Sequence, residues 1–226
     1  MLLVGAAARG LIAMSTRGVW EPAIGEELQG KTLAIIGCGG IGQSVARIAA
    51  LGYGMHVVGC SRPAAPPPAA LPHFSAVTND FAAAVREADF VSLHVSASPD
   101  NVRWLDRDRL ACLPERSWLI NTARGSLVDE AALFAALAER RIAGAALDVF
   151  TREPYEPAER QRDLRSLPNV ILTPHVGSNT VEANRRMAER ALENIALAGQ
   201  RAFARMDLLN PDVLTDSADD ETVRSR

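Results

Sequence analysis

Three segments late in the chain carry residue types suited to anion binding and proton transfer. They are Asn121-Thr122-Ala123-Arg124-Gly125, Leu147-Asp148-Val149-Phe150-Thr151-Arg152-Glu153-Pro154 and Thr173-Pro174-His175-Val176-Gly177-Ser178. An arginine can grip a carboxylate bidentately. A histidine, with an unperturbed pKa of about 6.5, can deliver a proton near neutral pH. A glutamate bonded to the imidazole would orient it and favour its charged form. Each residue also has a plain structural reading. Arg124 could be a salt-bridged surface residue, His175 a satisfied strand-end histidine, and Glu153 before Pro154 simple turn chemistry.

An earlier motif is more specific. Gly37-Cys38-Gly39-Gly40-Ile41-Gly42 satisfies GxGxxG between an expected strand and an expected helix. In that setting Gly37 allows the tight turn, Gly39 lets backbone approach a pyrophosphate, and Gly42 lets helix and strand pack closely. The helix N-terminus then faces the anion. The next strand, His56-Val57-Val58-Gly59-Cys60, ends in Ser61-Arg62, with no acid to take a ribose 2′-hydroxyl. Ser61 and Arg62 suit a 2′-phosphate, which favours NADP(H) over NAD(H). The alternative is that Arg62 is only a solvated loop cation before Pro63.

Such residues need a scaffold that gathers them. Six strands are expected at Thr32–Ile36, His56–Cys60, Phe90–His94, Ser117–Asn121, Ala145–Val149 and Val170–Thr173, in the order 3-2-1-4-5-6. Helical spacing recurs at Ile41–Leu51, Asp80–Ala88, Arg107–Cys112 and Glu130–Arg140. Alternation of this kind predicts an α/β fold, a Rossmann-type doubly wound parallel sheet. Every candidate segment falls at the C-terminal end of an expected strand, where open α/β sheets bind ligands. Asp129 is expected to cap the helix after it, and Gly144 to end the preceding turn. The Ala- and Pro-rich stretch Arg62–Pro72 reads as a loop. Asn179 with Glu182 fits a capping box for a last helix striped by Val181, Ala188, Leu192 and Ile195. A polar acidic tail follows Pro211.

Bulk properties exclude several classes. The formal charge is −3, so no basic field suits nucleic acid or an anionic membrane. The cysteines, Cys38, Cys60 and Cys112, form no CxxC pair, and no metal site is expected. Leu2–Met14 is apolar but has no basic start and is interrupted by Arg9. No apolar run nears the roughly 20 residues that span a bilayer. A cytoplasmic location follows as the expectation. His94 is read as structural or supporting, His56 and His73 as surface, and Trp104 and Trp118 as core or interface.

The glycine-rich turn and the three later segments, in this order, resemble the D-isomer-specific 2-hydroxyacid dehydrogenases from about Trp20 to Ala198. The resemblance implies that Arg124, Glu153 and His175 are catalytic. It implies cofactor contacts at Gly39, Gly40, Ile41, Ser61, Val95, Asn101, Thr122, Asp148 and Gly177, beside Gly37, Gly42 and Arg62 from the motifs themselves. The expected reaction is hydride transfer between NAD(P)H and a small 2-oxo or 2-hydroxy acid resembling glyoxylate or hydroxypyruvate, with turnover by this chain alone expected to be weak or absent. Phosphoglycerate-type substrates and a non-catalytic dinucleotide-sensing module are the alternatives. Family members also carry a substrate domain built mostly from residues before the glycine-rich turn. Here most of that second domain is expected to be missing. The expected division is 1–28, a remnant of an inter-domain helix; 29–178, the dinucleotide-binding domain; and 179–226, a C-terminal helix and tail. A homodimer is implied, with Val95–Leu113 at a two-fold interface and Leu2–Met14 packed on the partner.

Overall fold

The computed structural model describes residues 26–62 and 71–208. Leu2–Met14 and most of the Arg62–Pro72 loop lie outside the described residues, as does the tail after Pro211. The chain forms two compact units, Met1–Gly177 and Ser178–Arg226.

The first unit holds the sheet. Its elements are β1 (Thr32–Ile36), α1 (Gly40–Tyr53), β2 (His56–Cys60), β3 (Ala76–Thr78), α2 (Phe81–Val85) and β4 (Phe90–Leu93). They continue with α3 (Arg107–Ala111), β5 (Trp118–Asn121), α4 (Glu130–Ala138), β6 (Gly144–Leu147) and β7 (Val170–Leu172). All seven strands are parallel, in the order β3-β2-β1-β4-β5-β6-β7. The doubly wound fold is therefore as expected, but the strand count is not. Ala76–Thr78 is a strand of three residues, none buried, with no apolar run to announce it. It occupies the outer third place, so Phe90–Leu93 becomes the fourth strand and lies against β1.

Period-two alternation divides the core between the two sheet faces. Strand β1 sends Ala34 and Ile36 to one cluster, with Val85, Leu110, Leu133 and Leu137 from the helices. Leu33 and Ile35 join the other, with Ala46 and Ala49 of α1. Trp104 packs on the first cluster and Trp118 on the second, each half-buried. His56 is exposed, whereas His73 is half-buried.

Two boundary expectations fail for local reasons. Gly144 opens β6 and ends no turn. The left-handed position is taken by Arg140, at φ 56°. Gly144 is small because a Cβ there would lie 2.6 Å from the Trp118 ring and from the Asn169 carbonyl. In the second unit, α5 (Val181–Gly199) is capped by Thr180, whose side chain accepts from the Ala183 N–H. Asn179 instead accepts from the Asn184 side chain at 3.0 Å, so the cap falls one residue later than expected, and with Ala183 three residues on it is a single cap and not a box. Asp129 does cap α4, accepting from Ala132 N–H at 3.0 Å. Among the described residues no helix is long and apolar enough to cross a membrane.

Strand register does the positioning. Cys60 pairs with Ile36, Ile36 with Leu93, Leu93 with Asn121, Asn121 with Leu147 and Leu147 with Leu172. Six strands thus end level. The segments that follow them emerge along one sheet edge.

Candidate functional site

The switch in strand order lies at β1, which has β2 on one side and β4 on the other. The glycine-rich turn sits there. Gly37, at φ 103°, donates its N–H to the Cys60 carbonyl at 2.8 Å. A Cβ on Gly37 would lie 2.6 Å from the His94 carbonyl, and one on Gly42 would lie 2.1 Å from the Gly37 carbonyl. Gly39 and Gly40 are different, because a Cβ on either would meet nothing within 4 Å. Their missing side chains leave an open cradle over the α1 N-terminus, and Gly39 caps that helix without any side-chain bond. Free N–H groups facing open space fit a pyrophosphate. Ile41, in the first turn, is 71% exposed.

Ser61 is half-buried after β2 and donates its N–H to Thr78, and Arg62 is exposed. Val95 is half-buried after β4, and Thr122 is exposed after β5. Asn101 spends its amide locally, accepting from Ser98 N–H and donating to the Ser96 carbonyl, both at 2.7 Å. His94 is mostly buried beside Ser92, with Nε2 2.9 Å from the hydroxyl. Burial pushes its pKa down to about 4, so the ring is neutral, consistent with a supporting role. Burial also pushes the thiols up, Cys60 to about 11, which leaves Cys38 and Cys60 poorly nucleophilic.

At the far end of the edge, His175 Nδ1 lies 2.7 Å from Glu153 Oε2. Glu153 Oε1 accepts the Phe150 N–H at 2.9 Å, which fixes the carboxylate plane. The His175 imidazole, then the Phe150 N–H, hold the Glu153 carboxyl below the usual glutamate range. The pair is reachable from solvent, with side chains 46% and 37% exposed.

The backbone that carries His175 is held by a buried acid. Asp148, 3% exposed, accepts the Thr173 hydroxyl and the Val176 N–H through Oδ1, and the Gly177 N–H through Oδ2. The Asp148 carbonyl receives the His175 N–H at 2.8 Å. Together these bonds hold His175 at φ 52°, a left-handed backbone unusual for a residue with a side chain. A Cβ on Gly177 would crowd Asp148 Oδ2 at 3.1 Å.

Arg124 does not join the pair directly. Its Nη1 donates to the Ala123 carbonyl at 2.6 Å. Its turn is seated against the Glu153 loop by Gly125, where a Cβ would lie 1.9 Å from the Phe150 carbonyl carbon. The structure pairs two and brings the third loop against theirs. Sequence reasoning also passed over the parts played by Asn121, Gly125 and Thr173. A polar Asn ending an apolar strand was the one available signal, since the contacts that matter are made by residues distant in sequence.

The family model for the NAD binding domain of D-isomer specific 2-hydroxyacid dehydrogenases matches residues 2–177. The chain belongs to that family. It is 42% identical over 200 residues to a glyoxylate reductase of Thermococcus litoralis, covering 88% of this chain and 58% of the relative. It is 39% identical over 180 residues to a hydroxypyruvate reductase of Thermotoga maritima, covering 79% and 56%. A solved acyclic imino acid reductase, Bsp5, in complex with NADPH and D-Arg, superposes with a TM-score of 0.75 at 29% identity, over 88% of this chain and 62% of that one. The chain thus spans less than two thirds of the length of each of these relatives.

Proposed function

We propose that this chain supplies the cofactor-binding and proton-delivering half of a reductase for small 2-oxo acids such as glyoxylate or hydroxypyruvate. The observation that carries the reading is the 2.7 Å contact between His175 Nδ1 and Glu153 Oε2, on the same sheet edge as the open glycine cradle. The nicotinamide cofactor, when bound, supplies the hydride that reaches the keto carbon. The remaining work falls to the chain. Arg124 binds the substrate carboxylate through its guanidinium fork. Glu153 engages Nδ1 and leaves Nε2 free to give a proton to the oxygen that becomes the alcohol. Asp148 keeps the imidazole at the edge.

The finer reading favours NADP(H), supported by Ser61 and Arg62 after β2 and by the lack of an acid there. It also includes a homodimer with Val95–Leu113 at the two-fold interface. A cytoplasmic location is supported by the three free cysteines.

The test is cofactor oxidation over a panel of glyoxylate, hydroxypyruvate and 3-phosphohydroxypyruvate, with NADPH and NADH compared. Tighter binding of NADPH than of NADH is expected, with reduction of the two short acids weak because the chain supplies only half of the site, and Arg62→Ala should weaken NADPH binding much more than NADH binding. Equal losses for both cofactors would make Arg62 a loop cation only. Cofactor binding with no reduction of any acid, even when a relative's substrate domain is supplied, would make the chain a dinucleotide-sensing module and sink the enzymatic reading.

A further inference from the structure

Asn121 is the last residue of β5 and is 1% exposed, behind the buried Leu119 and Ile120. A buried amide must find its partners inside the protein. Here Oδ1 accepts the Ala123 N–H and Nδ2 donates to the Arg124 carbonyl, both at 3.0 Å. One planar group therefore clamps the backbone of the turn just before Arg124 and at Arg124 itself. The Asn121 carbonyl also receives the Asp148 N–H at 2.9 Å. The residue that shapes the arginine turn is thus tied to the residue that holds the His175 loop. On the other side, Gly125 lets the turn lie directly on the Phe150–Thr151 backbone.

We propose that Asn121 is a positioning residue whose side-chain amide sets where the Arg124 guanidinium stands, and so sets the affinity for the carboxylate of a 2-oxo acid. The proposal rests on the reading of Arg124 as the carboxylate grip. Asn121 itself touches no substrate. The chemistry requires one donor and one acceptor in a fixed plane. An aspartate would keep the acceptor for Ala123 but turn a carboxylate oxygen toward the Arg124 carbonyl. A leucine would fill the space and leave both backbone groups unpaired.

The experiment is a double-mutant cycle on the chain with NADPH, using Asn121→Ala, Arg124→Ala and the double variant. The readouts are KM and kcat for glyoxylate, NADPH affinity, and calorimetric binding of oxamate to the NADPH-loaded chain. Asn121→Ala is expected to raise KM, and the oxamate Kd, by about tenfold, in keeping with the loss of two buried hydrogen bonds. NADPH affinity should stay within about twofold, a change too small to signal loss of a direct contact. In the Arg124→Ala background the same substitution should add nothing. If Asn121→Ala fails to fold, Asn121→Asp keeps the acceptor for Ala123, sets an oxygen against the Arg124 carbonyl in place of the donor, and runs the same cycle. Additive effects, or equal damage to NADPH binding, would show that Asn121 only holds the fold together. A wild-type chain that fails to bind oxamate, or an Arg124→Ala variant with unchanged KM, would overturn the carboxylate grip and this inference with it. A raised KM in Arg124→Ala with additive Asn121→Ala would overturn this inference alone.

Discussion

The turn after β1 and the loop after β7 serve one sheet edge by opposite means. The first is made by atoms that are absent. Gly37 and Gly42 allow backbone to lie where any Cβ would collide, and Gly39 and Gly40 leave the space above α1 open. The second is made by side chains that are present. Thr173, Asp148 and Glu153 hold His175 in a left-handed backbone that a glycine would adopt more easily. A cradle for a pyrophosphate needs only backbone N–H groups at one helix end. A proton donor needs an aimed ring, and aim requires partners from other strands. The backbone-built site spans a few consecutive residues, whereas the side-chain-built site joins residues 22 to 29 positions apart.

Three substitutions would break or sharpen that contrast. The largest effect is expected from Gly42→Ala, because the new methyl would lie 2.1 Å from the Gly37 carbonyl oxygen, which is backbone and cannot step aside. A loss of about 3 kcal/mol in stability, with loss of NADPH binding, is expected in urea denaturation and cofactor titration. An alanine variant with wild-type stability would mean that the turn tolerates a side chain and is not built on absence.

Next comes His175→Ala. The loop bonds to Asp148 are made by backbone groups and Thr173, so the cradle and the fold should survive. Glyoxylate reduction should fall by about 10²-fold or more, the usual scale for general acid catalysis, while NADPH affinity stays unchanged. A parallel fall in NADPH affinity would show that the two regions are not separable.

The smallest effect concerns pH. In the folded state the Glu153 carboxyl titrates below its ordinary value of 4.5, chiefly because of His175. A depressed acid contributes stability above its unfolded pKa and loses it as pH falls through the folded pKa. The stability advantage of wild type over Glu153→Gln should therefore be present at neutral pH. It should shrink below about pH 4.5 as the carboxylate is protonated. The pair is more than a third exposed, so the difference should stay under about 1 kcal/mol. Denaturation midpoints measured from pH 7 to pH 3 would reveal it, and a gap that widens in acid would contradict the assigned pairing.

Amino-acid order alone determined the alternating strand–helix pattern and the glycine-rich turn, while Arg124, Glu153 and His175 became candidates through the family resemblance of their motifs. Those signals are local, because runs of apolar residues and missing Cβ atoms act over a few positions. β3 escaped notice because three half-buried and exposed residues carry no apolar run, and hydrogen bonds to β2 alone make them a strand. Tertiary structure alone decided the level strand ends that put the loops on one edge. It decided that Glu153 meets His175 while Arg124 bends back to Ala123. It also gave Asp148 and Asn121 their partners, since a buried carboxylate or amide acquires its role from whichever backbone groups the sheet brings within about 3 Å.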